Sequence, residues 1–209
     1  MIIETFPVGP LQCNCTILGD ETSREAMIID PGGEADRIIA KLEEHGLRLK
    51  QIVCTHTHID HVGAIFELQQ RTGTPAAIHK ADMFLFENLD VQAQWLHLEN
   101  PKKGSIDSFL NDGQAVACSG IEVGVIHTPG HTPGSTTFLL TGERRILFAG
   151  DTLFMNGIGR TDLWGGSQTE ILSSIENRLM TLDDDTMVIA GHGRSTTIGH
   201  ERRHNPFLR

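Results

Sequence analysis

A chain of 209 residues can bury roughly 70% of the surface its unfolded form exposes, so one domain spanning residues 1–209 is expected and no disulfide is needed to hold a core. A formal net charge of -10 opposes attraction to phosphate polymers and anionic lipid, which argues against nucleic acid and against a membrane surface as partners. No stretch approaches the ~20 apolar residues of a membrane span, and MIIETFPVGP lacks a basic start followed by a sustained apolar run, so a cytoplasmic protein with reduced thiols is expected.

In chain order, Ile2 to Phe6, Cys13 to Leu18 and Ala26 to Ile29 read as strands, closed by the turn Asp30-Pro31-Gly32-Gly33. Ala35, Ile38, Ile39 and Leu42 follow the i, i+3, i+4, i+7 spacing of an amphipathic helix that Gly46 would end. Leu49 to Cys54 is a strand, His61 to Arg71 a helix, Pro75 to Ile78 a short strand, and residues 80 to 98 are helix-prone. Four strands are then expected over Gln114 to Cys118, Ile121 to Ile126, Thr136 to Leu140 and Arg145 to Ala149. Ser167 and Glu170 form an S-x-x-E capping box ahead of Ile171, Leu172, Ile175 and Leu179. Met187 to Ala190 is the last expected strand, and Thr197 to Asn205 a closing helix. Strands and helices mixed in this way predict an α/β fold with two sheets and helices outside them, a four-layer sandwich.

The eleven histidines, set against no tyrosine at all, direct attention to where imidazoles cluster. Thr55-His56-Thr57-His58-Ile59-Asp60-His61 follows the apolar strand Gln51-Ile52-Val53-Cys54 directly. Alternation in an extended chain points His56 and His58 the same way, and Asp60 and His61 lie where the backbone turns towards a helix. Four ligand-type side chains within six residues have no evident structural purpose other than a metal. Imidazole nitrogen and carboxylate oxygen suit zinc, while the lack of cysteine here disfavours a closed thiolate site. The same donors also accept iron or manganese.

Three further candidates each sit beside glycine at the end of an expected strand: His131 in Pro129-Gly130-His131-Thr132-Pro133-Gly134, Asp151 after Gly150, and His192 between Gly191 and Gly193. Taken singly, each would pass for a turn residue. His45, His79, His97, His127, His200 and His204 lack such company and read as surface or packing residues, His127 standing closest to the candidate set. Cys13, Cys15, Cys54 and Cys118 read as structural thiols.

Taken together, these residues resemble the metallo-β-lactamase-fold hydrolases, through Asp30, His56-x-His58-x-Asp60-His61, His131, Asp151 and His192 in that order. The resemblance implies a metallo-β-lactamase-type αββα four-layer sandwich and two zinc ions, one held by His56, His58 and His131 and the other by Asp60, His61 and His192, with Asp151 bridging them. It implies that Asp30 supports the histidine loop without being a ligand, and that Asp60 also orients the attacking water. Gly150-Asp151-Thr152-Leu153-Phe154 followed by Gly157-Ile158-Gly159-Arg160-Thr161-Asp162 resembles the glyoxalase II group, the hydroxyacylglutathione hydrolases, and the closing Thr196 to Pro206 stretch resembles their short bacterial relatives. Arg160 falls where that group carries a basic residue contacting glutathione. The longer members add a carboxy-terminal helical region and aromatic tyrosine contacts to glutathione; this chain ends at Arg209 and carries Asp162 where such a tyrosine would be expected.

The implied activity is hydrolysis of a small-molecule thioester, glutathione-linked, with S-lactoylglutathione of methylglyoxal detoxification as the expected substrate and Asp60 and Asp151 as its catalytic carboxylates. Two cations sharing a water lower its pKa from 15.7 towards ~7, and a thiol with a pKa of ~8.5 leaves without a strong acid. Rival expectations are a persulfide dioxygenase with one iron, a noncatalytic metal-binding module and a nuclease, the last opposed by the acidic charge balance. Trp164 is expected at the cleft because it follows Asp162 in the same glycine-rich loop, and oligomeric state is left open.

Overall fold

Apolar residues on both faces of the early strands require cover on both sides, and this dictates the layering. The computed structural model describes residues 1–142 and 144–208. Strands β1 (Ile2–Val8), β2 (Cys13–Gly19) and β3 (Glu25–Ile29) form an antiparallel meander. Helix α1 (Ala35–Glu44) crosses to β4 (Arg48–Val53), helices α2 (Ile59–Val62) and α3 (Ile65–Thr72) lead to β5 (Ala76–His79), and α4 (Met83–Glu87) and α5 (Leu89–Leu96) precede β6 (Ser108–Leu110). Strands β3 to β6 are mutually parallel, as strands joined by helical crossovers must be. The first sheet therefore has the order β1-β2-β3-β4-β5-β6.

The second sheet is built from β7 (Ala115–Cys118), β8 (Ile121–His127), β9 (Thr136–Leu140) and β10 (Ile146–Gly150), with β8, β9 and β10 each antiparallel to the strand before it. A small hairpin, β11 (Leu153–Phe154) and β12 (Gly157–Ile158), and helix α6 (Gln168–Ser174) follow; α6 continues as a π-helical turn over Ile175–Leu179. Strand β13 (Met187–Ala190) then joins β10 in parallel, β14 (Thr196–Thr197) caps that edge, and α7 (Ile198–His204) closes the described fold. The order is β14-β13-β10-β9-β8-β7.

The period-2 alternation of side chains divides these residues among three apolar clusters. Ile17, Ile28, Ile52 and Ile78 face Ile38, Leu42, Ile65 and Leu68 of the crossover helices. Their strand neighbours Leu18, Met27, Ile29 and Val53 face Val125, Phe138, Phe148 and Ile189 of the second sheet. Leu147 and Val188, pointing the other way from Phe148 and Ile189, pack under Ile171, Ile175, Leu179 and Ile198. Two sheets with helices outside each is the expected αββα sandwich, and each fully buried Leu or Ile contributes on the order of 1.5–3 kcal/mol to it. All four cysteines are buried and unpaired, as structural thiols. No described helix is long and apolar enough to cross a membrane.

Several elements differ from expectation. The helix read over His61 to Arg71 is two, because at Gly63 the chain passes so close to the early turn that a Cβ there would lie 2.5 Å from the Gly32 carbonyl oxygen. Ala64 N–H then donates to Pro31 O at 2.9 Å, outside any helical ladder. Residues 80 to 98 likewise break at Asn88, between α4 and α5. Strands β6, β11, β12 and β14 are two or three residues long, too short to show a period. The capping box is half made: Ser167 Oγ accepts from Glu170 N–H at 3.3 Å, but Ser167 N–H donates to Gly130 O at 2.8 Å. That bond ties α6 to the loop carrying His131.

Candidate metal centre

Each candidate residue follows the carboxyl end of a strand, and all of these ends lie at one rim. His56 and His58 follow β4, Asp60 and His61 lie in α2, His131 is between β8 and β9, Asp151 follows β10, and His192 follows β13. The rim is pinned across the two sheets: Thr136 N–H donates to Thr55 O at 2.8 Å, Asn14 N–H donates to Gly191 O at 2.7 Å, and Cys13 bridges to His192. Gly191 must be glycine, since a Cβ there would sit 2.1 Å from Asp151 Oδ1 and 2.8 Å from His61 Cε1.

All seven predicted ligands converge in two overlapping groups. His58 Nδ1 is 3.1 Å from His56 Nε2 and 2.9 Å from His131 Nε2. Asp60 Oδ2 is 3.1 Å from His192 Nε2 and 3.8 Å from His61 Nε2. Asp151 stands between the groups: its Oδ1 is 3.5 Å from His61 Nε2 and 3.8 Å from His192 Nε2, and its Oδ2 is 3.6 Å from His131 Nε2.

The far nitrogens of the rings decide where the lone pairs point. His131 Nδ1 lies 2.8 Å from Arg160 O and His192 Nδ1 lies 3.0 Å from Leu11 O. A carbonyl only accepts, so each Nδ1 carries a proton and each ring turns its Nε2 to the cluster, as a lone pair in the case of His131, whose burial keeps it neutral. His61 Nδ1–H donates to Asp30 Oδ2 at 3.0 Å, with the same result. Thr55 Oγ1–H donates to Asp30 Oδ2 at 2.7 Å, which leaves that hydroxyl to accept from His56 Nδ1 at 3.1 Å. His58 Nδ1 is therefore faced by two lone pairs, and a proton on it could satisfy only one of them well. A cation satisfies all three: metal–nitrogen bonds of about 2.0–2.1 Å imply nitrogen spacings of about 2.9–3.4 Å for octahedral to tetrahedral geometry. The donors fit a metal on a second count, because His61 Nε2 and Asp151 Oδ1 are buried polar atoms with no hydrogen-bond partner among the described residues.

Electrostatics point the same way. Burial, reinforced by neighbouring imidazoles, pushes His56 far below the usual histidine range and His58 down to about 3, and burial lowers His131 as well. These rings are neutral, the form a metal takes. Burial opposes ionisation of Asp151, but its imidazole neighbours, His61 first, outweigh it and hold the carboxyl well below its ordinary value; His61 and His192 are themselves raised, against the effect of burial, by the surrounding acidic groups, and a bound cation would take the place of their Nε2 protons. Cys13, Asp30 and His61 also lie together, yet they do not make a third ion site. Both oxygens of Asp30 are occupied by Thr55 N–H, Thr55 Oγ1–H and His61 Nδ1–H, and burial drives the Cys13 thiol up to about 12. Asp30, at φ 53°, lies where the early turn brings it under the histidine loop. His127 stays outside: it stacks on His79 at 4.1 Å and its Nε2 bonds Pro133 O at 2.9 Å.

Two positioning residues were not legible in the sequence. Asp82, fully buried, accepts from Thr57 N–H at 3.1 Å, Thr132 Oγ1–H at 2.8 Å and Gly134 N–H at 2.6 Å, joining the His56-x-His58 loop to the His131 loop. An aspartate in front of α4 has the look of a helix cap, but its side chain makes no cap bond. Gln92 Oε1 accepts from Ile59 N–H at 2.9 Å while its Nε2 donates to Thr57 O at 3.3 Å and Leu85 O at 2.9 Å; a glutamine on the apolar face of α5 was the signal available. Asp82→Ala is expected to weaken zinc binding by about 10- to 100-fold, the usual effect of removing a group that orients a ligand loop, measured by competition with a chromogenic chelator; unaltered affinity would remove Asp82 from this role.

The centre opens into a cavity of about 260 Å³ lined by His58, Asp60, His131 and Asp151 at its base and by Trp95, Phe154, Arg160 and Trp164 above. Trp164 is at the cleft as expected, and Trp95 joins it at a ring distance of 5.8 Å. Arg160 also reaches the cleft, held there by Asp162: Nε–H and Nη2–H donate to Asp162 Oδ1 and Oδ2 at 3.0 and 2.9 Å.

A two-sheet sandwich carrying this donor set at one rim defines a class of metallohydrolases, and the profile of the Metallo-beta-lactamase superfamily matches residues 8–192. The chain belongs to that superfamily. Among individual relatives, hydroxyacylglutathione hydrolase GloC of Haemophilus influenzae is 45% identical over 215 residues, covering 100% of this chain and 98% of the relative. Of solved structures, the BLEG-1 B3 metallo-beta-lactamase superposes with a TM-score of 0.91 at 36% identity, over 99% of each chain. TTHA1623, solved in a di-iron-bound form, gives a TM-score of 0.88 at 36% identity, over 98% of this chain and 100% of that one.

Proposed function

We propose that this protein is a binuclear metal-dependent thioester hydrolase, with S-lactoylglutathione as its substrate and lactate and glutathione as products. The carrying observation is the donor arrangement: seven ligand side chains in two groups sharing Asp151 exceed what one ion of coordination number four to six uses, which favours hydrolysis over the single-iron dioxygenase. In this reading His56, His58 and His131 hold one ion, Asp60, His61 and His192 hold the other, and Asp151 spans both. The similarity to GloC supports the thioester. The similarity to a di-iron-bound structure makes iron as well as zinc a fitting occupant.

Bound cations would supply Lewis acidity, polarising the carbonyl and lowering the pKa of water from 15.7 to ~7. The residues of the chain do the rest. Asp60, its Oδ2 turned to His192 and its carboxyl held low by His61 and His192 against the effect of burial, stays ionised and orients the attacking hydroxide. The carbonyls of Arg160 and Leu11 fix the rings of His131 and His192, so the direction of these donors is set before substrate arrives. Trp95, Phe154 and Trp164 exclude bulk water from one side. The carbon–sulfur bond breaks to give a thiolate, which needs no proton from the site.

Elemental analysis of protein purified without chelator, paired with a thioester assay and an oxygen-consumption assay on glutathione persulfide, tests this. Up to two metal ions per chain and thioester turnover are expected; oxygen uptake without hydrolysis would establish the dioxygenase instead. Arg160→Ala is expected to raise KM for S-lactoylglutathione roughly three- to tenfold with kcat within about twofold, because a cation at the cleft mouth binds ground and transition states alike. A fall in kcat alone would give Arg160 another role.

A further inference from the structure

The upper wall of the cleft is mostly apolar. Its described lining contains one lysine or arginine, Arg160, and the guanidinium is already engaged. Asp162 is two residues away on the same loop, and the pair is bidentate, with both partners about two-thirds exposed. The bond to Arg160 holds the Asp162 carboxyl below its usual range, so the pair is ionised at neutral pH. The same cleft is lined by Trp95 and Trp164, 53% and 42% exposed, their rings tilted 56° to each other in an arrangement that receives a flat or branched apolar group. Leu96, Leu163 and Ile158 continue the same wall.

We propose that Asp162 sets the substrate class of this cleft: it competes with anionic tails for Arg160, and together with the Trp95–Trp164 wall it favours thioesters whose thiol or acyl part is uncharged and apolar. This rests on the thioester-hydrolase reading and ranks S-lactoylglutathione below uncharged thioesters among the substrates that reading admits. A glutathione carboxylate must displace Asp162 from both guanidinium donors before it gains a contact, whereas an apolar group displaces only water from the tryptophans. The competition has the scale of one well-oriented surface ion pair, about a three- to fivefold effect on affinity.

The chain contains two tryptophans, and both line the cleft, so binding can be followed by intrinsic fluorescence independently of turnover. The metal-loaded protein is titrated with S-hexylglutathione and with the S-hexyl thioether of N-acetylcysteamine, which shares the alkyl group and carries no charge. The neutral probe is expected to quench with the lower Kd. Asp162→Asn, a change on an exposed loop, is expected to lower the Kd of S-hexylglutathione by roughly three- to fivefold, to move the neutral probe by less than about twofold, and to lose its advantage as salt is raised. An unchanged Kd for S-hexylglutathione in Asp162→Asn, equal shifts for both probes, tighter glutathione binding by the unaltered protein, or no quenching by either probe would each overturn the assignment. Turnover is scored separately on S-lactoylglutathione and on an uncharged acyl thioester of N-acetylcysteamine: absence of hydrolysis of both, with the probe pattern intact, would end the thioesterase reading and leave the role of Asp162 standing.

Discussion

Asp151→Ala is expected to purify with at most half the metal of the unaltered protein and with kcat/KM for S-lactoylglutathione reduced by about 10³ or more. Asp151 touches both donor groups, its two oxygens divided between His131 on one side and His61 and His192 on the other. Its Oδ1 is buried with no hydrogen-bond partner among the described residues. Removing it leaves two separate three-donor sites with no shared anion, and Lewis-acid stabilisation worth several kcal/mol is lost at ~1.36 kcal/mol per tenfold in rate. Stability should split by metal state. An ion present at 1,000 times its Kd contributes about 4.1 kcal/mol, on the order of 8–16 °C in Tm for a chain of this size. The variant should lose much of that increment. Without metal, the variant loses a carboxylate that its imidazole neighbours stabilise in the ionised form, so Tm should fall there too, but by less. Elemental analysis, steady-state kinetics and thermal unfolding with and without chelator check the three parts; full metal content with full activity would reject the bridging role.

Gly32→Ala is expected to destabilise the protein by roughly 3 kcal/mol or more, although residue 32 contacts no ligand side chain. A Cβ at Gly32 would lie 1.6 Å from the Asp60 carbonyl oxygen and 2.6 Å from its carbon. These are backbone atoms, so no rotamer change relieves the overlap, and overpacking of this kind costs 1–3 kcal/mol even where side chains can adjust. The chain can comply only by moving the His58–Asp60–His61 segment away from the early turn, which drags Asp60 and His61 out of register with His192. A fall in Tm of at least ~6 °C and a loss of metal affinity should therefore appear together. A variant with the Tm and metal content of the unaltered protein would show that the two segments are not in such contact.

The parts of this centre that were legible in the sequence are those carried by short-range pattern. His56-x-His58-x-Asp60-His61 concentrates four donors within reach of one strand end, and the strands around it announce themselves by apolar residues at every position, as in Ile146–Gly150. The residues that were not legible act over long separations through single bonds. Asp82 reaches Thr57, 25 residues away, and Gly134, 52 residues away, and no local pattern separates it from a helix cap. Gly63 reads as a tolerated glycine within a helix until the turn at Gly32 is placed against it. The pairing of Arg160 with Asp162 was open to sequence, being two residues apart; what sequence withheld was that Trp95, some 65 positions earlier, lines the same cleft and meets Trp164.

His56, His58, Asp60 and His61 belong to the amino-terminal sheet, and His131, Asp151 and His192 to the carboxy-terminal one. Neither donor group is finished by its own half: the first lacks His131 and the second lacks His192 until the later strands arrive. During synthesis, a chain that has emerged only through residue 61 offers an ion two incomplete footholds. Capture of an ion by either complete donor group would therefore require the second sheet to have docked first.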